Sequence, residues 1–237
     1  NILKDLGNLQ EAKTSYRKAI EINPDYADAY NNLGIILKDL GELKEAGKSY
    51  RKAIKINPDY ANAHSNLGSI LKDLGELNQA ELSTRKAIQL NPNLAMANYN
   101  LGDILIGIGN LIEAEILTRK AILIDPNLAE AHLNLGNILK EKGNLIEAEI
   151  STRKAIEIKP DYANAYSNLG GILIDLGKLK EAEISIRKAI ELKPDFSKAY
   201  SNLGRILIDL GKLKEAELSL RKSIELQPDL SDAHLNL

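Results

Sequence analysis

Apolar residues recur at helical spacing, and the whole pattern returns every 34 residues. In residues 27–60, Ala29, Leu33, Ile36, Leu37 and Leu40 stand three and four apart, which puts them on one face of a helix. Gly41 follows at once, and glycine readily takes the left-handed conformation that stops a helix. A second stripe, Leu43, Ala46, Tyr50, Ala53, Ile54 and Ile56, ends before Pro58, which cannot donate to a continuing helix. The pattern predicts two helices per period, A and B. Each proline is followed by Asp or Asn (Asp25, Asp59, Asn93, Asn127, Asp161, Asp195, Asp229), read as the N-cap of helix A.

The period is regular. Pro24, Pro58, Pro92, Pro126, Pro160, Pro194 and Pro228 lie 34 residues apart. Gly34 to Gly204 and Gly7 to Gly211 form two further series with the same step. Repeats of this length build solenoids, in which each unit buries its apolar faces against its neighbours. With the proline at position 32, complete repeats span 27–60, 61–94, 95–128, 129–162, 163–196 and 197–230. Partial repeats occupy 1–26 and 231–237, so residues 1–237 read as a single solenoid whose first and last residues, Asn1 and Leu237, fall inside helix A.

Composition reinforces this picture. The chain has no Val, Trp or Cys, so a β-sheet has little to build on. Good helix formers dominate instead. Without cysteine there can be no disulfide, thiolate metal site or Cys nucleophile. Lys+Arg 31 against Asp+Glu 33 lacks the basic excess of a nucleic-acid surface. No apolar run approaches a membrane span. Balanced charge fits a soluble cytoplasmic protein.

Tyr30, Leu33-Gly34, Leu37, Ala46, Tyr50, Ala53 and Pro58 together resemble the tetratricopeptide repeat (TPR) signature, and the match recurs in every unit. Two departures stand out. Position 24 drifts from Tyr16 and Tyr50 through Thr84, Thr118 and Thr152 to Ile186 and Leu220, and Asn98 occupies an aromatic slot beside Tyr99. The resemblance implies an all-α fold, an α-α superhelix: a right-handed solenoid of helix-turn-helix repeats with helix A lining the concave wall. The N-L-G runs also resemble the TPR region of O-linked GlcNAc transferases.

Nothing in the pattern forms a catalytic constellation, so the chain reads as a non-enzyme without cofactor or metal. His64, His132 and His234 all occupy position 4, where other repeats carry Tyr30, Tyr166 and Tyr200; a packing slot for a flat ring explains them. Arg-Lys pairs recur in helix B, but Glu81, Glu115, Glu149, Glu183 and Glu217 each lie four residues before the matching arginine. That spacing makes helical ion pairs on a solvated face.

Position 6 of helix A is invariant: Asn32, Asn66, Asn100, Asn134, Asn168, Asn202 and Asn236. Asparagine is a poor mid-helix residue. Its amide could bond the adjacent repeat, or form a ladder that reads a ligand's backbone through both donor and acceptor; the two roles are compatible. Helical geometry assigns positions 2, 5, 6, 9, 12 and 13 to the same side. On that side, Met96, Tyr99, Asp103, Ile106 and Leu133 form a candidate anchor, with Asn137 and Arg205 as further wall residues. Gly171 could admit a ligand backbone. Position 5 never carries lysine and position 6 never arginine, which argues against the clamp that TPR proteins use for acidic chaperone tails.

The first functional expectation is a scaffold that binds a protein or peptide segment in its groove, without nucleic acid or membrane. Two alternatives are the substrate-recruiting arm of a larger enzyme, such as a glycosyltransferase, and an end-to-end self-associating solenoid.

Overall fold

The computed structural model describes residues 7–237; the expected start of the first partial repeat, including Asn1 in helix A, lies outside them. Among the described residues there are fourteen α-helices and no strand. They are α1 (Leu9–Ile22), α2 (Ala27–Asp39), α3 (Leu43–Ile56), α4 (Ala61–Asp73), α5 (Leu77–Leu90), α6 (Ala95–Ile108) and α7 (Leu111–Ile124). Then come α8 (Ala129–Glu141), α9 (Leu145–Ile158), α10 (Ala163–Asp175), α11 (Leu179–Leu192), α12 (Ser197–Asp209), α13 (Leu213–Leu226) and α14 (Ser231–Asn236). Even-numbered helices are the A helices and odd-numbered ones the B helices. The chain divides after Pro126 into two compact units, one holding α1–α7 and the other α8–α14.

Within each unit every helix packs against its successor, and each A helix also touches the next A helix. The fold is therefore an all-α solenoid of stacked hairpins. Seven turn glycines, Gly7 to Gly211, have φ between 73° and 87°, as a left-handed stop requires.

The expected N-caps need correction. Helix A begins two residues after the Asp or Asn that was assigned the cap, and its N-cap positions, such as Tyr26 and Tyr60, make no side-chain capping bond. Polar turn chemistry comes instead from the residue before proline. Asn23, Asn57 and Asn91 accept the backbone N–H of Asp25, Asp59 and Asn93 at 3.1–3.2 Å, closing an Asx-turn.

The core lies between the A and B layers. In the first unit it gathers Leu33, Leu37, Tyr50, Leu67, Ile70 and Leu71; in the second, Leu169, Leu173, Ile186, Leu203, Ile206 and Leu207. The drift at position 24 has a packing reason. Each position-8 glycine faces that residue, and an added Cβ would collide with Tyr50 at Gly34, Thr84 at Gly68 or Ile186 at Gly170. Glycine thus lets rings, hydroxyls and aliphatics of different volume fill one place.

Candidate peptide-binding faces and B-helix seams

The asparagine row first serves the stack. In the first unit Asn66 Nδ2 donates to Asn31 Oδ1 at 3.0 Å, and Asn100 Nδ2 reaches Ser65 Oγ at 3.0 Å and its carbonyl at 3.3 Å. In the second, Asn168 Nδ2 donates to Asn137 Oδ1 at 2.6 Å. Each bond ties one A helix to the preceding one. Asn66 and Asn168 remain half-buried, and among the described residues no donor reaches their carboxamide oxygens. Asn32 and Asn202 are half-buried as well, as is Asn134.

Position 5 is where the helical-wheel expectation fails. Asn31, Ser65, Leu133, Ser167 and Ser201 are all buried, because successive A helices pack along this ridge. Leu133 is 5% exposed and packs against Ala155 and Ala165, so it is a core residue and not a groove anchor. Tyr99 alone of the full repeats stays half-buried at this position.

The other anchor candidates share α6. Met96 is 44% exposed, Ile106 is half-buried, and the Asp103 carboxylate takes an ion pair from Lys72 of α4. Lysines at position 12 generally reach the next A helix: Lys38 Nζ donates to Ser69 Oγ at 2.9 Å and Lys140 pairs with Asp175 at 3.1 Å. Where position 12 is Ile106, Ile174 or Ile208, that polar bridge gives way to half-buried aliphatic surface. Gly171 is buried, and Lys140 Nζ stands 3.0 Å from where its Cβ would be, so a lysine already fills the room proposed for a ligand backbone. Arg205 is exposed and makes no ion pair among the described residues.

Two of the histidines serve the turns. Nε2 of His64 lies 3.0 Å from the Pro58 carbonyl, and Nε2 of His234 lies 2.8 Å from that of Pro228. Asn98 plays the same part, its Nδ2 donating to the carbonyls of Pro92 at 3.2 Å and Leu94 at 2.9 Å. An aromatic slot that accepts Asn is therefore also a polar slot, which the aromatic signature conceals.

The B helices carry the expected ion pairs. Arg85, Arg119, Arg153, Arg187 and Arg221 meet the glutamate four residues earlier at 2.8–2.9 Å. Sequence reasoning missed a second set that crosses the seam between hairpins: Arg85–Glu113 at 2.7 Å, Arg153–Glu181 at 3.0 Å and Arg187–Glu215 at 2.9 Å. Lysines answer in the other direction, Lys178 to Glu149 at 2.8 Å and Lys212 to Glu183 at 2.9 Å. The hydrogen bond from Lys178, assisted by Arg153, holds the Glu149 carboxyl below the usual carboxylate range; Lys212 and Arg187 do the same for Glu183. Among the described residues no cluster of three or more His, Asp or Glu could hold a metal ion, and no helix is long and apolar enough to cross a membrane.

Comparison with known proteins agrees with this architecture. Family models described as tetratricopeptide repeat match residues 61–94, 95–128, 117–150, 163–196 and 197–230, and one described as TPR repeat matches 1–41 and 36–75. No curated protein matches the chain significantly. Among solved structures, a chain of the APC/C hetero-tetramer Cut9–Hcn1 superposes with a TM-score of 0.91 at 17% identity, over 99% of this chain. This chain spans only 46% of that one. YrrB, described as a TPR protein with an unusual peptide-binding site, is 27% identical with a TM-score of 0.57, over 78% of this chain and 95% of its own. A tetratricopeptide repeat protein from Parabacteroides merdae is 24% identical with a TM-score of 0.72, over 99% of this chain and 93% of its own. The repeat lattice, the stacked hairpins and these matches lead to one assignment: the chain belongs to the tetratricopeptide repeat family.

Proposed function

We propose that this chain is a non-catalytic scaffold that takes an extended protein segment along the asparagine-bearing faces of its A helices. The observation that carries the reading is the state of Asn66 and Asn168. One amide N–H of each is spent on the neighbouring repeat, which fixes the side chain, while the oxygen is left to accept from a ligand's backbone. A carboxamide immobilised in this way loses little further entropy on binding. In the first unit Met96, Tyr99 and Ile106 add adaptable apolar surface beside the row, and in the second Asn137, Asn202 and Arg205 make the face polar and basic. The likeness to YrrB, whose description names a peptide-binding site, supports the reading.

The test is selection of a peptide from a display library, followed by anisotropy titration against wild type and Asn66→Ala/Asn168→Ala. At least a tenfold loss with the helical circular dichroism retained is expected. Equal affinity for both forms would remove the asparagines from the site.

A further inference from the structure

Three seams between B helices carry an arginine ion-pair bridge, and among the described residues the α3–α5 seam carries none. In the seams described above, the arginine at position 25 pairs with a glutamate on its own helix and with another on the next B helix, as Arg85 does with Glu81 and Glu113. Arg153 and Arg187 repeat the arrangement. On α3 the equivalent arginine is Arg51. The two places where its partners would stand hold Gly47 and Gln79. Arg51 makes no ion pair among the described residues, is exposed, and lays Nη1 over Gly47, 3.4 Å from where a Cβ would be.

Beneath this stripped arginine is a cleft of about 390 Å³ between α3, α4 and α5. Its apolar lining comes from Ile54, Leu67, Leu71 and Leu82; Leu67 and Leu71 are buried, whereas Leu82 is 72% exposed. Lys86 stands at the same mouth, and its ammonium reaches only Gln89 Oε1, at 3.4 Å. His64, Leu67 and Leu71 approach from α4 on the side opposite Asn66, so the cleft is separate from the asparagine row. Two cations without a carboxylate partner, set beside an apolar floor, match a ligand with an acid next to an aliphatic group. The planar guanidinium suits a carboxylate in bidentate fashion.

We infer that the α3–α5 cleft is a second docking site, which takes an acidic protein segment presenting a Leu or Ile side chain to the floor and a neighbouring Asp or Glu to Arg51 and Lys86. In the bridged seams the repeat's own glutamates occupy the position that the partner's carboxylate takes here. Restoring them therefore blocks the site. Gly47→Glu/Gln79→Glu reinstates residues that other repeats already carry, and a Cβ at Gly47 meets its neighbours no closer than 3.4 Å, so the double variant keeps the fold.

The experiment is a dodecapeptide display selection on the full chain, with each enriched peptide titrated against wild type, Gly47→Glu/Gln79→Glu, Arg51→Glu and Asn66→Ala/Asn168→Ala. The expected result is a class of peptides carrying adjacent aliphatic and acidic residues. These bind both charge variants at least tenfold more weakly, and bind the asparagine variant within twofold of wild type. The inference is overturned if no such class is enriched, or if its members bind wild type and the charge variants equally. Peptides that respond only to the asparagine variant report the A-helix face, so the two sites fail or stand independently.

Discussion

The α3–α5 seam and the α11–α13 seam have the same backbone and the same apolar floor, yet their polar surfaces differ. Beneath the first lies Leu71, 2% exposed, and beneath the second Leu207, 0% exposed. Above the second, Glu183 takes Arg187 and Lys212 and Glu215 takes Arg187 again; above the first, Gly47 and Gln79 leave Arg51 without a carboxylate. The contrast shows that burial between hairpins holds the stack, while the ion pairs over each seam are a removable layer. Burial of a leucine is worth several times a surface ion pair. A repeat can therefore give up its bridge and free that surface for another use.

The largest effect sharpens the comparison by removing what the seams share. Leu71→Ala and Leu207→Ala each cost about 3 kcal/mol, followed by circular dichroism in urea. A much smaller loss at Leu71 alone would mean that the open seam is loosely packed as well as unbridged.

A middle-sized effect separates the seams by pH. The carboxyl of Glu183 is held below its ordinary value of 4.5 by Lys212 and Arg187. A depressed folded value contributes stability that is fully present above 4.5 and is lost as pH falls through the folded value. Stability should thus be level on this account from pH 7 to about 5 and decline below about 4.5. Glu183→Gln should cost about 1 kcal/mol at neutral pH and flatten that acid decline. An unchanged acid limb in the variant would show that other carboxylates dominate it.

The smallest effect isolates the arginines. Arg51→Ala should change stability by less than about 0.3 kcal/mol, within the range of ordinary surface substitutions, whereas Arg153→Ala should cost about 0.5 kcal/mol and lose that cost in molar salt. Equal and salt-sensitive losses would mean that Arg51 has a partner after all.

Much of this fold was legible in the residues because the signals are local. A stripe of Leu33, Ile36 and Leu37, a glycine at 41 and a proline at 58 act within a few residues of themselves, and the helices fall where these place them. The Glu-to-Arg pairs four residues apart were legible for the same reason. The candidate site was read less well. A helical wheel puts Asn31, Ser65 and Leu133 beside Asn32, Asn66 and Asn134 and has no term for a neighbouring helix, so it could not show that position 5 is covered. The Asp25-type residues were read as caps because they follow proline, but the turn is closed by the residue in front of it, Asn23. That alternative was equally open to Asn on chemical grounds.

The sequence by itself determined the helices, their period and the family, since each follows from spacing along one chain. Only the tertiary structure decided which polar residues are spent inside the stack and which remain outside it. Asn66 meets Asn31 and Arg85 meets Glu113 across 35 and 28 residues of chain, distances that no local rule spans. Which carboxylate lies over which arginine is set by how neighbouring hairpins pack against each other.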